Sequence, residues 1–492
     1  MTQPFPKQKV VEALLSSLPE NEPSLSHQTK EVAFTYVPPS HARALDPDNA
    51  LVEGIRGAGK TFWWESLNSD RHREFVASAF PEARIGHNLV VSQGFGTNLS
   101  PNLYPGKDIL NVLRQSFEPR HIWRSIVATH LEYPSPFPLR KNWIDKVKWV
   151  SENPEIFDKL LYQIDGSLSK ERKVRLILFD ALDRLADDWK QIRPLARALL
   201  QVALEMRSMK NIRLKLFVRP DMIEDRGILD FPDSSKLLSR KVSLSWQRAD
   251  LYALVFQCMG NAPTGGANFR NQCKNEFRLS WRQDMASKAW ILPSSLRTDG
   301  EVQKQIFHAI AGPAMASGPS GHKRGLPYTW LPNHLVDGRD QVSPRSFCAA
   351  LRKAAETESD DKSWKYPLHF KAIQTGVQSA SGIRTDEVRE DYPWINLLMS
   401  PLRGNLTVPC EVDEIFYLWR EAGTIATLNS LIGQADKVKL PPQHIEEGPE
   451  GIITDLQGMG LMQRLNDGRI QIPDVYRIAF GLGRRGGVKP LK

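Results

Sequence analysis

Leu51–Thr61 reads LVEGIRGAGKT, a short apolar run followed by G-x-x-x-x-G-K-T. A strand running into such a loop, with a helix leaving it, builds a cradle for phosphate. Gly54, Gly57 and Gly59 let the backbone turn its N–H groups inward, where a side chain would block the approach. Lys60 is placed to reach the β- and γ-phosphates of a nucleoside triphosphate, and Thr61 to put its hydroxyl on Mg²⁺. The following TFWWESL has helical character, so the positive end of its dipole also faces the anion. Arg56, Ala58 and Phe62 fall in the same stretch and complete the candidate nucleotide-binding set.

A second apolar run, VRLILFD at Val174–Asp180, ends in a carboxylate, as a strand must if it is to hand an acid to the metal at the carboxyl edge of a parallel sheet. Asp180 is therefore the Mg²⁺-ligand candidate beside Thr61. Asp183 is the candidate acceptor for the attacking water; its alternative, compatible role is to cap a helix beginning near Arg184. Between the two motifs the sequence predicts a strand at Leu89–Ser92 and a helical stretch through Asp108–Leu131. After them come a strand in IRLKLFVRPD at Ile212–Asp221, another at Lys241–Leu244 and a helix from about Arg248 to Cys258. Arg219, at the end of its strand, is placed to sense a γ-phosphate or to make a surface ion pair. Together these segments predict an α/β fold around a parallel sheet.

The chain has 492 residues, 41% hydrophobic and 25% charged, enough to bury several cores. No stretch approaches the ~18 uninterrupted apolar residues of a membrane span, and the first residues lack the apolar core of a signal peptide. A cytoplasmic location with no membrane partner is expected. Cys258, Cys273, Cys348 and Cys410 stand far apart with no CxxC pair, which argues against structural zinc and a disulfide framework. The formal net charge of +9 modestly favours polyanionic partners. No nuclease, protease, deaminase or transferase signature is present.

GIRGAGKT, DALDR at Asp180–Arg184 and SPRSF at Ser343–Phe347 together resemble the additional-strand P-loop ATPases, in particular the signal-transducing and KAP-like branches related to AAA+ proteins. The resemblance implies ATP and Mg²⁺ as cofactors, a helical lid, homo-oligomers or a separate effector protein, and work in signalling or anti-phage defence. It makes Arg219 akin to a sensor-1 residue and Arg345 a sensor-2 candidate that a lid would return to the nucleotide; otherwise Arg345 lies on the solvated face of a helix over Arg345–Ala355. VPPSHARAL at Val37–Leu45 is expected to be extended because of its prolines, with His41 packing on adenine or forming a plain linker. The sequence lacks the acidic pair usual after the metal aspartate. Arg193, Arg197 and Arg207 are the finger candidates on the helix after Asp183, with solvation the alternative.

The tract AGPAMASGPSGHKRGLPYTW predicts a long loop, with Lys323 and Arg324 beside Tyr328 and Trp330, an arrangement that can track and stack on nucleic acid or simply pack. Val412–Ala422 and Ile452–Gly458 predict helices, and GLMQRLNDGRIQIP a β-hairpin over Gly460–Pro473 with Gly468 at positive φ. Helices followed by such a wing predict a winged-helix region. Its Arg464, Arg469, Arg477, Arg484, Arg485, Lys489 and Lys492 are candidates for duplex DNA, with packing or autoinhibition as the other use of the region. The expected organisation is an N-terminal extension over 1–45, a P-loop core over 46–260, a helical lid with long loops over 261–385 and a winged-helix-like region over 386–492. Two functions compete: a regulatory ATPase switch, and an ATP-bound DNA-binding regulator with negligible turnover. A translocase ranks last for want of a second motor domain.

Overall fold

Short runs of apolar and β-branched residues between helices can pair side by side only if each crossover returns the chain to the same sheet edge. The computed structural model shows that arrangement. It describes residues 3–20, 31–86, 88–318, 321–359, 361, 363–434, 438, 440–485 and 488–490. The chain divides into two compact units, one of Pro39–Leu244 and one that joins Met1–Pro38 to Ser245–Lys492.

The second of these begins with helix α1, Lys7–Ser17. The Pro39–Leu244 unit begins with α2, Pro39–Leu45, and holds five strands: β1 Leu51–Glu53, β2 Leu89–Phe95, β3 Val174–Phe179, β4 Ile212–Val218 and β5 Val242–Ser243. They form a sheet in the order β2-β3-β4-β1-β5, and every neighbouring pair is parallel. β4 is thus inserted between the strand that leads into the glycine loop and the strand that ends at Asp180. Helices cover such a sheet on both faces, so its central strands bury nearly every side chain. Leu176, Ile177, Leu178 and Phe179 are all fully buried. So is Lys215 of β4, whose Nζ donates to the carbonyls of Ala44, Asp46 and Asn49 at 2.7, 2.9 and 2.6 Å.

The crossovers are helical: α3 Lys60–Asn68, α4 Asp70–Ala79, α5 Lys107–Ser116, α6 Pro119–His130, α7 Trp143–Glu152, α8 Pro154–Lys170 and α9 Trp189–Met206. Three local expectations change here. The single stretch through Asp108–Leu131 is two helices, because Pro119 has no N–H to donate and instead takes the first position of α6. Val37–Leu45 is extended only as far as Pro38. Pro39 starts α2, since a proline in a first turn gives up a hydrogen bond that would have no partner there. Nor does Asp183 cap a helix: Leu182–Arg184 is one 3₁₀ turn, and Asp188 caps α9 by accepting from the Lys190 N–H at 2.5 Å.

In the other unit, α1 packs on helices Arg248–Asn261 and Pro344–Glu356, and Phe370–Asp391 packs between Pro344–Glu356 and Asp474–Phe480. Gly265 at φ 81° precedes a helix, Gly266–Phe277. Tyr328 and Trp330 are used in packing and not in an open stacking surface. Tyr328 stacks on Tyr252 with centroids 4.4 Å apart and donates to Gln303 Oε1, while Trp330 stacks on His334 at 3.9 Å. Near the C-terminus, helices Val412–Glu421, Thr424–Leu431 and Gly448–Gly458 precede an antiparallel hairpin of Gln463–Arg464 with Ile470–Gln471. Gly468 turns it at φ 89°, and Cys410, just before the first helix, pairs antiparallel with Ile470. Three helices followed by a hairpin, with Cys410 bridged to Ile470, have the element order of a winged helix.

Candidate functional site

The sheet order sends the loop after β1, the residues after β3 and those after β4 to one edge, and every element of the candidate site meets there. Gly57 and Gly59 take φ 78° and 106°, the left-handed conformations that bend Gly54–Gly59 around its own N–H groups. A Cβ on Gly54 would stand 3.2 Å from that of Ala58 and 3.3 Å from that of Leu244, so the loop closes tightly on this position. Lys60 heads α3 and folds back over the loop, donating to the carbonyls of Gly54 at 2.7 Å and Ile55 at 3.0 Å. Burial lowers its ammonium to about 8, partly countered by Asp180, so the cation is poorly solvated and suited to an anion that would replace water.

Thr61 Oγ1 donates to Asp180 Oδ2 at 2.7 Å. Hydroxyl and carboxylate are the hard oxygen donors that Mg²⁺ takes, usually with phosphate oxygens and water filling the rest of its shell. The two therefore fit a Mg²⁺–phosphate ligand. Asp180 is almost fully buried, and burial raises its carboxyl while the Thr61 hydroxyl and Lys60 hold it down.

Ala181 then takes φ 56°, costing about 1 kcal/mol for a residue with a Cβ. The bend brings Asp183 back to Arg219, whose Nη1 lies 3.5 Å from Asp183 Oδ2. Burial alone would raise the Asp183 carboxyl; Arg219 and Lys60 outweigh it and keep the group below its ordinary range. Arg219 also grips Asp221 through two bonds, Nε to Oδ1 at 3.1 Å and Nη2 to Oδ2 at 3.0 Å. Two cations and three carboxylates thus gather at one sheet edge.

The sequence reading missed Asp221. Its signal was present in Arg219-Pro220-Asp221, a strand end followed by a proline that starts the short helix α10, Pro220–Glu224, with an acid in its first turn. Of the remaining loop residues, Ala58 is buried, Arg56 is half-buried, and the half-buried Phe62 sets its ring edge-on to Trp63 with centroids 4.9 Å apart.

Other candidates are placed differently. His41 is fully buried in α2, and its Nδ1 accepts from the Trp63 indole at 3.2 Å, so it braces the helix behind the loop and offers no open face to a base. Arg193, Arg197 and Arg207 are half-buried and bonded within their own unit: they bind Asp225 at 2.7 Å, Gly227 O at 2.6 Å and Lys236 O at 2.7 Å. Arg345 lies in the other unit on the solvated face of its helix, its side chain 59% exposed, with Nη1 reaching Glu387 Oε1 at 2.5 Å. Glu387 in turn accepts from Arg384, and Arg384 Nε donates to the Tyr476 hydroxyl at 3.1 Å.

Among the C-terminal basic residues, Arg477 is fully buried and holds Asp474, Leu482 O and Val488 O, which removes it from any interface. Arg464 pairs with Glu450, Arg469 with Asp467 and Arg484 with Asp474, while Arg485 and Lys489 are exposed. Lys492 lies outside the described residues. Among those residues no helix is long and apolar enough to cross a membrane.

A parallel sheet with one strand inserted between the P-loop strand and the acidic strand, and with loop, threonine and aspartate in contact at its edge, defines a P-loop α/β fold of the additional-strand class. Comparison with solved structures finds chains of low similarity to this one. The ORC2 protein of Aeropyrum pernix, solved with ADPNP and ADP, is 14% identical over 90% of this chain and 93% of its own, with a TM-score of 0.38. A Walker-type ATPase of Pyrococcus abyssi is 13% identical over 94% and 98%, with a TM-score of 0.37. Cdc6p of Pyrobaculum aerophilum is 11% identical over 90% and 94%, with a TM-score of 0.29. No protein-family model matches the sequence, and no curated protein matches it.

Proposed function

We propose that this chain is a cytoplasmic ATPase that binds ATP with Mg²⁺ and uses hydrolysis as a regulatory switch. The observation that carries the reading is the 2.7 Å contact between Thr61 and Asp180 at the mouth of the glycine loop. A threonine opening α3 and a buried aspartate just after β3 have little reason to meet there except to share a metal. In this reading Lys60 leaves the loop carbonyls to pair with the β- and γ-phosphates. Thr61 and Asp180 would hold Mg²⁺, and a bound metal would supply charge neutralisation at the phosphates. Asp183 accepts a hydrogen bond from the attacking water and orients it. Arg219 reads the γ-phosphate, and Arg345, on release from Glu387, carries that reading to the lid. Further copies of the chain or a separate effector would receive the signal, in signalling or in anti-phage defence.

The test is turnover of ATP by wild type, Lys60→Ala and Asp183→Ala, with and without duplex DNA. Lys60→Ala should lose both binding and turnover, and Asp183→Ala should keep binding while turnover falls about 100-fold or more. Wild-type turnover no higher than that of Lys60→Ala would sink this reading.

The winged helix, with Arg464, Arg484 and Arg485 exposed, favours the second reading, a DNA-binding regulator that keeps ATP without turning it over. Reversing Arg464 and Arg485 to Glu should then abolish salt-dependent binding to a duplex; unchanged binding would remove DNA from the account.

A further inference from the structure

Asp221 belongs to none of the roles above, yet it makes the best-formed contact in the charged cluster. Arg219 ends β4 and stands before Pro220, whose fixed φ starts α10 and brings Asp221 around beneath the guanidinium. Two nearly parallel bonds, 3.0 and 3.1 Å long, fix the plane of that group through its Nε/Nη2 edge. The remaining nitrogen, Nη1, faces Asp183 over a longer 3.5 Å. Side chains of both partners are only 13% exposed, so water competes weakly for either contact. A guanidinium held along one edge can exchange a partner at the other without losing its orientation, and the contact it exchanges is the weaker one.

We propose that Asp221 is a positioning residue. It holds Arg219 by one edge, so that Nη1 passes from Asp183 to the terminal phosphate of a bound triphosphate. Until that exchange occurs Arg219 covers Asp183, which becomes available to water only when the γ-phosphate has drawn the arginine away. The inference rests on the ATPase reading and adds to it a reason why the catalytic acceptor stays idle in the absence of a triphosphate.

The test uses the full chain and compares wild type, Asp221→Asn, Arg219→Ala and the double variant. Three quantities are read: the affinity ratio for Mg-ATP over Mg-ADP, the turnover rate and the thermal midpoint. Asp221→Asn keeps the shape and one acceptor but cannot clamp both nitrogens as a carboxylate does. It should melt close to wild type, bind Mg-ADP as wild type does, lose most of the preference for ATP and slow turnover by about 10- to 100-fold. The double variant should be no slower and no less selective than Arg219→Ala, because a residue acting through Arg219 has nothing left to act on. Equal losses from Asp221→Asn with and without Arg219, or a wild-type ATP preference in Asp221→Asn, would overturn the proposal. The affinity ratio needs no turnover, so a wild type that binds but does not hydrolyse would refute the ATPase reading and still decide on Asp221. A wild type that binds neither nucleotide would overturn both.

Discussion

Lys215 places an amine in the middle of a central strand, and the three carbonyls around its Nζ belong to the end of α2 and the segment that joins it to β1. Burial lowers its ammonium to about 7, against the pull of Asp46 and Asp48. The unfolded chain, with an ordinary lysine near 10.4, keeps its proton through that range. Between about pH 7 and 10 the unfolded state therefore binds more protons than the folded one, and the lysine's contribution to stability rises with pH, by at most about 1.4 kcal/mol per unit. Lys215→Met should unfold more easily by on the order of 3 kcal/mol at neutral pH, since three buried carbonyls lose their donor. The gap to wild type should widen as pH rises; unfolding curves that stay parallel from pH 7 to 9.5 would contradict this. The strand was readable in IRLKLFV and this role was not, because a polar residue at an alternate position looks like the wet face of a half-exposed strand. Only the sheet order, which gives β4 a neighbour on both sides, makes it buried. Thr61 and Asp180 were readable because their chemistry is tied to a fixed spacing and to a strand end. Asp221 depends on a turn geometry that follows the strand.

At the scale of elements, apolar runs located all five strands of the sheet, since a strand covered on both faces leaves a continuous signal. Helix limits were harder, because prolines act in two opposite ways: Pro119 divides a helical stretch and Pro39 begins a helix. The wing was legible in its Asn-Asp-Gly turn, whereas what the winged helix rests on was not. The loop Val336–Val342 docks on the end of helix Gly448–Gly458: the Gly338 N–H donates to Gly460 O at 2.7 Å and Arg339 Nε to Gly458 O at 2.7 Å. Arg339 thus caps carbonyls that the helix end leaves open. A Cβ on Gly338 would lie 2.6 Å from Met462 O and 2.9 Å from Gly460 O, both backbone atoms with little room to retreat. Gly338→Ala should lower stability by about 1–3 kcal/mol, seen as an earlier thermal transition. An unshifted transition would mean that the loop is not held against this helix in solution. The same loop leads directly into Pro344–Glu356, the helix that carries Arg345, so the candidate sensor and the winged helix share a support.

At the scale of the molecule, the sheet-bearing unit interrupts the other in sequence, and the chain passes between them twice. α2 packs against β5, so the first and last elements of Pro39–Leu244 adjoin. In the other unit the residues flanking the interruption also adjoin: the rings of Tyr36 and Trp246 have centroids 6.4 Å apart, and the Tyr36 hydroxyl donates to Asp250 at 3.2 Å. Expressed alone, residues 39–244 should fold cooperatively and keep the Lys215 and Thr61–Asp180 contacts, as judged by a single thermal transition and by magnesium-dependent nucleotide binding. A molten product without a transition would show that the sheet needs the rest of the chain. Local sequence pattern carries no sign of this division, because the contacts that draw it join residues some two hundred positions apart. Ends that meet on both sides of a junction have a genetic corollary: two crossovers in a coding sequence suffice to lift the sheet-bearing piece out of one host and set it into another, with neither piece required to change its own termini.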